Sequence, residues 1–384
     1  MNQRFYSLDV FRGATVALMI LVNNPGSWSF IYPPLEHAPW HGCTPTDLVF
    51  PFFLFAVGNA MAFVMPKLET AGEKTFWYKI IKRSLLIFFI GIFLNWFPFI
   101  KYDDAGKLVA KEFENVRILG VLQRIAICYF FAAILIHYCK VRGTFVAAAF
   151  ILLGYWFLCV AMNPSDPFSL GGWFGTGIDK AILGDSHMYH GEGVAFDPEG
   201  LMNSFAGIVQ VIFGYLVGNY ILQKGKTQEM LNGLFVAGCI LIVTGLSWDM
   251  VFPINKKIWT SSYTVYTTGL AILTLSVMIY LIEFKNAKGA WSRFFDVFGK
   301  NALFIFVLSG VLPRLLALIR IPGAIDAAGK QKYLAPFGWF YEHICKPILP
   351  VEPRFGSLIY ALCFIGMMWF FAWLMDKKKI YVRV

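Results

Sequence analysis

His37-Ala-Pro-Trp-His-Gly-Cys-Thr-Pro-Thr-Asp47 runs directly into Leu48-Val-Phe-Pro-Phe-Phe-Leu-Phe-Ala-Val-Gly-Asn-Ala-Met-Ala-Phe-Val-Met65. The second stretch carries no charged residue. A bilayer core about 30 Å thick is crossed by about 20 apolar residues in a helix. In hydrocarbon only a helix or a closed barrel satisfies its own backbone polar groups. Residues 48–65 therefore read as a spanning helix. A second apolar run, about 8–24, precedes the polar loop. An ionisable pair, His37 and Asp47, held at the mouth of such a bundle is costly near lipid and marks a functional site. The plainer alternative is a His that only caps the second helix.

Composition extends this reading to the whole chain. Of 384 residues, 58% are hydrophobic and 15% charged. Soluble domains carry about 25% charged residues. The expected fold is all-α, a polytopic membrane helical bundle of about ten transmembrane helices and a single domain over 1–384. The expected spans are 8–24, 46–65, 80–99, 118–138, 143–161, 203–222, 231–251, 263–283, 300–318 and 356–375. Residues 335–350, broken by Pro336, Pro347 and Pro350, read as an interfacial or re-entrant piece. Ser7-Leu-Asp-Val-Phe-Arg-Gly13 leads straight into the first span, with no small-residue cleavage site, so that span is expected to stay.

Lys and Arg set the expected orientation. They gather at Arg4 and Arg12, at Lys67, Lys74, Lys79, Lys82 and Arg83, at Lys140 and Arg142, and at Lys224 and Lys226. They recur at Lys285 to Lys300 and at Lys377 to Arg383. Loop 25–45 has none, and loop 163–202 has only Lys180. By the positive-inside rule both termini are cytoplasmic, and the loops 25–47 and 163–202 face outward. The net charge of +10 follows the same bias. It reads as contact with anionic lipid head groups, not nucleic acid.

The seven Cys show no metal or disulfide spacing, and no metal is expected. His187 and His190 stand three apart among acids but read chiefly as a solvated loop. Asn23 either caps the first helix or belongs to the site. Arg124, beside Gln123, needs a partner at membrane depth, either a buried acid or a substrate anion. Asn255 and Trp259 pair polar donors with a ring, which suits a sugar or an interfacial belt.

Several blocks together resemble the heparan-alpha-glucosaminide N-acetyltransferase family of transmembrane acyltransferases. They are Ser7–Gly13, Val22-Asn23, His37 to Phe53, Arg117-Ile-Leu-Gly-Val-Leu-Gln-Arg124, Phe196-Asp-Pro-Glu-Gly200, Asn255 to Tyr263, and Gly299-Lys-Asn-Ala-Leu303. The resemblance implies an acetyl-CoA-dependent amino-sugar N-acetyltransferase, with cytosolic acetyl-CoA as co-substrate and a glucosamine-type acceptor on the outer side. It implies His37 as the catalytic His and Asn23 as its companion. Asp47 would then fix the imidazole tautomer. Trp40, Gln123, Arg124, Glu199, Asn255 and Trp259 are the expected acceptor contacts. Arg12, Arg83, Lys300 and Asn301 are the expected CoA contacts.

The loop between Asn23 and His37 departs from the family. It is longer and has Pro33-Pro34 in place of Gly residues. A small amino sugar or an envelope glycan, and a bacterial inner membrane, are therefore expected. A homodimer is compatible with the sequence. The competing readings are an amino-sugar transporter and a non-catalytic membrane component that binds a partner through its outer loops.

Overall fold

The computed structural model describes residues 5–103, 105–325 and 331–382. Arg4 and Arg383 lie outside the described residues. Twelve α-helices are formed among those described. The first three are α1 (Tyr6–Asn23), α2 (Val49–Thr70) and α3 (Glu73–Trp96); α4 follows at Val121–Met162 and α5 at Gly175–Leu183. Then come α6 (Ser204–Lys224), α7 (Gln228–Asp249), α8 (Ser261–Ile279), α9 (Ala290–Lys300) and α10 (Ala302–Leu316). The last two are α11 (Pro336–Phe340) and α12 (Pro353–Lys377). Strands are confined to two antiparallel hairpins: β1 (Ile100–Tyr102) with β2 (Leu108–Ala110), and β3 (Ile321–Ile325) with β4 (Gln331–Leu334).

The all-α membrane bundle is as expected, but the count differs. Among the described residues seven helices are long and apolar enough to cross a bilayer, or eight if α9 and α10, bent by 80°, form one span. The difference from ten lies in two places: the span expected at 80–99 is not among the eight, and those expected at 118–138 and 143–161 are the two arms of one element, counted once. The span expected at 80–99 lies in α3, whose first half carries Lys79, Lys82 and Arg83. Its uninterrupted apolar part, residues 84–96, is roughly 20 Å long, short of a bilayer core. The spans expected at 118–138 and 143–161 belong to one long element, α4, which breaks at Lys140 (φ 55°, ψ −174°). Thr144 Oγ1 donates to the Leu135 carbonyl, nine residues back. A straight helix would separate those residues by about 13 Å, so the chain folds back on itself there. The span expected at 300–318 is broken at Asn301. The 335–350 segment forms α11, a π-turn at Tyr341–Cys345 and a 3-10 turn at Lys346–Ile348. Each piece is too short to cross alone.

Packing relies on close backbone approach, as lipid supplies no hydrophobic drive between helices. A Cβ on Gly58 of α2 would meet the Val211 carbonyl of α6 at 1.9 Å. One on Gly13 of α1 would meet the Phe295 carbonyl of α9 at 1.7 Å. Several buried hydroxyls of α8 are satisfied locally: Thr264, Thr267, Thr268 and Ser276 each donate to a carbonyl one turn back.

The two ends of the bundle are distinct. Ser7 bonds to Glu283, Lys300 pairs with Asp296 and Asp376, and Asn301 binds Ile380 and Val382. These contacts gather the start of α1, the α8–α9 connection and the end of α12 at one end, the terminal end. Loops 24–48, 163–203 and 250–260 meet at the other. There Gly42 bridges to Asn255, Trp40 Nε1 donates to the Phe168 carbonyl, and Tyr155 donates to the Ile258 carbonyl.

Candidate active site

Asp47 organises the loop end. It belongs to the 3-10 turn Pro45–Leu48 that leads into α2, and it forms a capping box with Thr44. Oδ2 accepts from the Thr44 and Ala38 amides and from Thr44 Oγ1, each at 3.0 Å. Oδ1 lies 2.7 Å from His37 Nδ1. At that distance Nδ1 carries the hydrogen and donates, leaving Nε2 as the acceptor. The Asp47 carbonyl accepts from the Tyr263 hydroxyl of α8 at 2.5 Å. The carboxylate is thus fixed on both sides and buried, while the His37 side chain is 42% exposed. A fixed acid behind a reachable imidazole suits proton transfer or acyl transfer at Nε2.

Lys256 joins this pair from the α7–α8 loop. Its Nζ lies 3.0 Å from His37 Nδ1, 3.3 Å from Nε2 and 3.4 Å from Asp47 Oδ1. Burial holds the Lys256 ammonium below its ordinary pKa, opposed by Asp47 and then Glu199. Sequence reasoning singled out Asn255 and Trp259 on either side but not this residue; nothing local distinguishes Lys256 from Lys257, which pairs with Glu192 at 2.6 Å.

The remaining expected contacts fall into three places. Trp40 lies against the site: its ring is 5.5 Å from that of Phe196, and the Lys257 ammonium lies 5.8 Å from its centre. Glu199 is held by Arg117, which also binds Asp197 in a fork. Burial pushes Glu199 up, but Arg117 and Arg124 outweigh it and hold the carboxyl below the usual range. Burial works against the Arg117 charge in turn, and Glu199 and Asp197 more than restore it.

Arg124, Trp259 and Asn255 lie beneath. Arg124 is fully buried, bonds to Asn203 Oδ1, and stacks 4.8 Å from the Trp259 ring. Its Nε and Nη1 have no partner, and neither does Gln123 Nε2. Trp259 is 0% exposed and adopts φ 49°, so it is a wall of the site rather than a surface belt. Asn255 Oδ1 accepts from the Ile258 amide and its Nδ2 reaches His41 Nδ1 at 3.4 Å, so it shapes the turn that presents Lys256.

Asn23 is the last residue of α1 and exposed. Among the described residues no hydrogen bond joins it to His37. His187 and His190 bond to the Val116 and Met188 carbonyls. No cluster of three or more potential metal ligands occurs among the described residues.

A cavity of about 910 Å³ opens at the terminal end, within the range of ligand pockets. Arg12, Arg83, Lys226, Lys288 and Lys300 line it against Asp9, Glu283 and Asp296. Three of the four expected CoA contacts are therefore lining residues. Asn301 is not; it ties down the C-terminal segment. Lys300 is already matched by Asp296 and Asp376, and Arg12 by Asp9 and the Gly299 carbonyl. Arg83 stacks on Tyr129 at 4.8 Å, and its Nε has no partner. Cations outnumber acids, and one buried donor is unspent, so the lining fits a polyanionic nucleotide.

Phe53, Leu122 and Ile125 are among its apolar lining residues. Phe50, one turn along α2 from Phe53, packs 5.1 Å from Trp259, and Arg124 of α4 stacks on the same ring, so α2 and α4 run between the cavity lining and the loop end.

Residues 4–176 match the sequence model described as heparan-alpha-glucosaminide N-acetyltransferase, catalytic. The chain is 28% identical to the heparan-alpha-glucosaminide N-acetyltransferase of Homo sapiens, over 79% of this chain and 52% of that protein. It is 28% identical to that of Mus musculus, over 80% of this chain and 54% of that protein. The chain spans about half the length of the curated relatives it matches. The helical bundle and the His37–Asp47 pair in the N-terminal block thus lie in a chain that is similar to the heparan-alpha-glucosaminide N-acetyltransferase family, most directly over residues 4–176.

Proposed function

We propose that this protein is a membrane acetyltransferase that moves an acetyl group from acetyl-CoA to the amine of a glucosamine-type sugar. The observation that carries the reading is the His37–Asp47 pair at the loop end of the bundle together with a cation-lined cavity of about 910 Å³ at the terminal end. In the expected orientation the cavity faces the cytosol, where acetyl-CoA is made, and His37 faces outward. Arg83 and Lys288 would take the nucleotide phosphates, and the pantetheine arm would reach toward Phe50 and Trp259. CoA supplies the activated acetyl thioester. His37 Nε2 takes the proton of the acceptor amine, or first carries the acetyl group itself; either role needs an uncharged imidazole. Asp47 holds Nδ1–H and so keeps Nε2 available. Asn23 is proposed as a donor to the carbonyl oxygen once the acceptor is bound, a contribution worth about 2.7–4 kcal/mol elsewhere. Trp40 and Glu199 would contact the sugar. A bacterial inner membrane is proposed as the location, resting on the proline-bearing loop 25–36 that departs from the family pattern.

The test is direct. Purified protein in detergent is incubated with acetyl-labelled CoA and glucosamine. Labelled N-acetylglucosamine supports the proposal. Uptake of free glucosamine into sealed vesicles without CoA, and no acetylation, would replace it with the transporter reading.

A further inference from the structure

Lys256 occupies a position that a simple His–Asp pair does not need to fill. Its Nζ lies 3.0 and 3.3 Å from the two ring nitrogens of His37 and 3.4 Å from Asp47 Oδ1. The loop that places it is rigid. Asn255 is pinned through its amide to Thr260 Oγ1 and through its Oδ1 to the Ile258 amide, and Gly42 bridges to Asn255. A fixed lysine has therefore been brought 219 residues along the chain to within bonding distance of the imidazole. That closeness is not explained by lipid contact, since the Lys256 side chain is only 20% exposed.

We propose that Lys256 is a positioning residue that takes up the Asp47 counter-charge and so keeps the His37 imidazole uncharged in front of the acceptor. In a His–Asp pair alone, the carboxylate stabilises the imidazolium. Here a second cation competes for the same oxygen, Oδ1. Two positive charges 3 Å apart repel, screened in part by the solvent that reaches the 42% exposed His37 side chain. One proton is then shared between two bases. Of the two an alkyl amine is intrinsically the stronger base, and Asp47 and Glu199 favour its charged form against its burial. The imidazole is left with Nδ1–H on Asp47 and a free lone pair at Nε2.

The other groups around this centre do not supply the same control. From the loop of His37, Cys43 is a half-buried thiol pushed up to about 12, by desolvation first and Asp47 second, and so is uncharged. His41, on Asn255, is held below its ordinary value by its own burial, against Asp249. Glu199 acts on Lys256 but is committed to Arg117. The Tyr263 hydroxyl donates to the Asp47 carbonyl and not to its carboxylate. Lys256 is thus the cation in contact with both members of the pair.

The inference rests on His37 being the reactive group, and its test is read without turnover. Purified Lys256→Met, Lys256→Gln and Lys256→Arg variants are treated with diethyl pyrocarbonate across pH 5 to 8.5. Carbethoxylation of His37, which needs a neutral imidazole, is followed by peptide mass spectrometry, with His41 on the same peptide as internal control. The midpoint for His37 is expected to rise by about one pH unit in the Met and Gln variants. It should hold in the Arg variant, and His41 should be unmoved in all three. A His37 midpoint that stays put in a monodisperse Met or Gln variant overturns the inference. If acetylation of glucosamine is observed, the acid limb of kcat/KM should move up in parallel; a merely structural lysine would lower the rate and leave the limb in place. Should acetylation be absent while the His37 midpoint still moves, the proposed function fails and the role of Lys256 stands.

Discussion

Asp47 is held from both sides of its own backbone: its carboxylate faces His37 at 2.7 Å, and its carbonyl accepts from Tyr263 at 2.5 Å. The second bond ties the start of α2 to α8, so the acid cannot drift without moving a buried helix. Tyr263→Phe removes one such bond, worth about 0.5–1.5 kcal/mol net. The expected result is a modest fall in melting temperature and a fall in kcat with little change in KM for the acceptor. Unchanged kcat would show that the second anchor does not position the site.

Removal of His37 itself should be far more severe. His37→Ala is expected to cut transfer by roughly 10²–10⁴-fold, the usual span for a lost general base, while the protein still inserts and binds CoA. His41→Ala is the control, because His41 meets only Asn255 among the described residues' hydrogen bonds; its loss should cost no more than several-fold. Equal losses in the two variants would undo the assignment.

The cavity predicts an ordering among its cations. Lys300 already faces Asp296 at 2.8 Å and Asp376 at 3.1 Å, so its charge is largely matched. Arg83 has no carboxylate in range among the described residues. CoA binding, measured by calorimetry, should therefore weaken more for Arg83→Ala than for Lys300→Ala. It should also weaken with salt, which screens phosphate–cation contacts beyond about 10 Å at 0.1 M. Affinity that is indifferent to salt and to Arg83 would put the nucleotide elsewhere.

Sidedness is open to labelling. Cys43 is a poor reporter, because burial and Asp47 push its thiol up to about 12 and the thiolate is the reactive form. Ser29, exposed at the loop end, is better. A membrane-impermeant maleimide added outside cells should label Ser29→Cys and leave Cys139, at the other end of the first arm of α4, unlabelled. The reverse pattern would invert the bundle and with it the proposed acceptor side.

The spanning helices were legible because apolar runs leave no alternative in hydrocarbon. The His37–Asp47 link was legible because ten residues of polar loop keep the two close. The reversal at Lys140 was readable as a loop between two spans, but not as a single residue at φ 55° within one hydrogen-bonded element. The bend at Asn301 was not readable at all; its cause is tertiary, since Asn301 bonds to the C-terminal segment. Lys256 escaped for the same reason. Its role depends on a contact across 219 residues, and local pattern carries no trace of such pairings.

Asp179 offers a pH test at some distance from the reaction. It sits on α5 in the loop between α4 and α6, fully buried, with Oδ1 accepting from the Leu201 amide and Oδ2 without a hydrogen-bond partner among the described residues. Burial raises its carboxyl to about 6, and the nearby Asp197 adds to the rise. A carboxyl whose folded pKa lies above its unfolded value of about 3.9 favours the folded state only while protonated. Its contribution is therefore fullest below about pH 4 and is lost as pH rises through about 6. Above that the buried charge is a standing cost, on the order of 2–3 kcal/mol. Asp179→Asn keeps an acceptor for Leu201 and cannot ionise. Its melting temperature relative to the parent should be near or below zero difference at pH 4.5 and should climb to a clear gain by pH 7.5, measured in the same detergent. A difference that stays flat across that window would mean that Asp179 is ionised at little cost, through water or a rearranged Arg124, and that the α4–α6 loop does not bury a neutral acid.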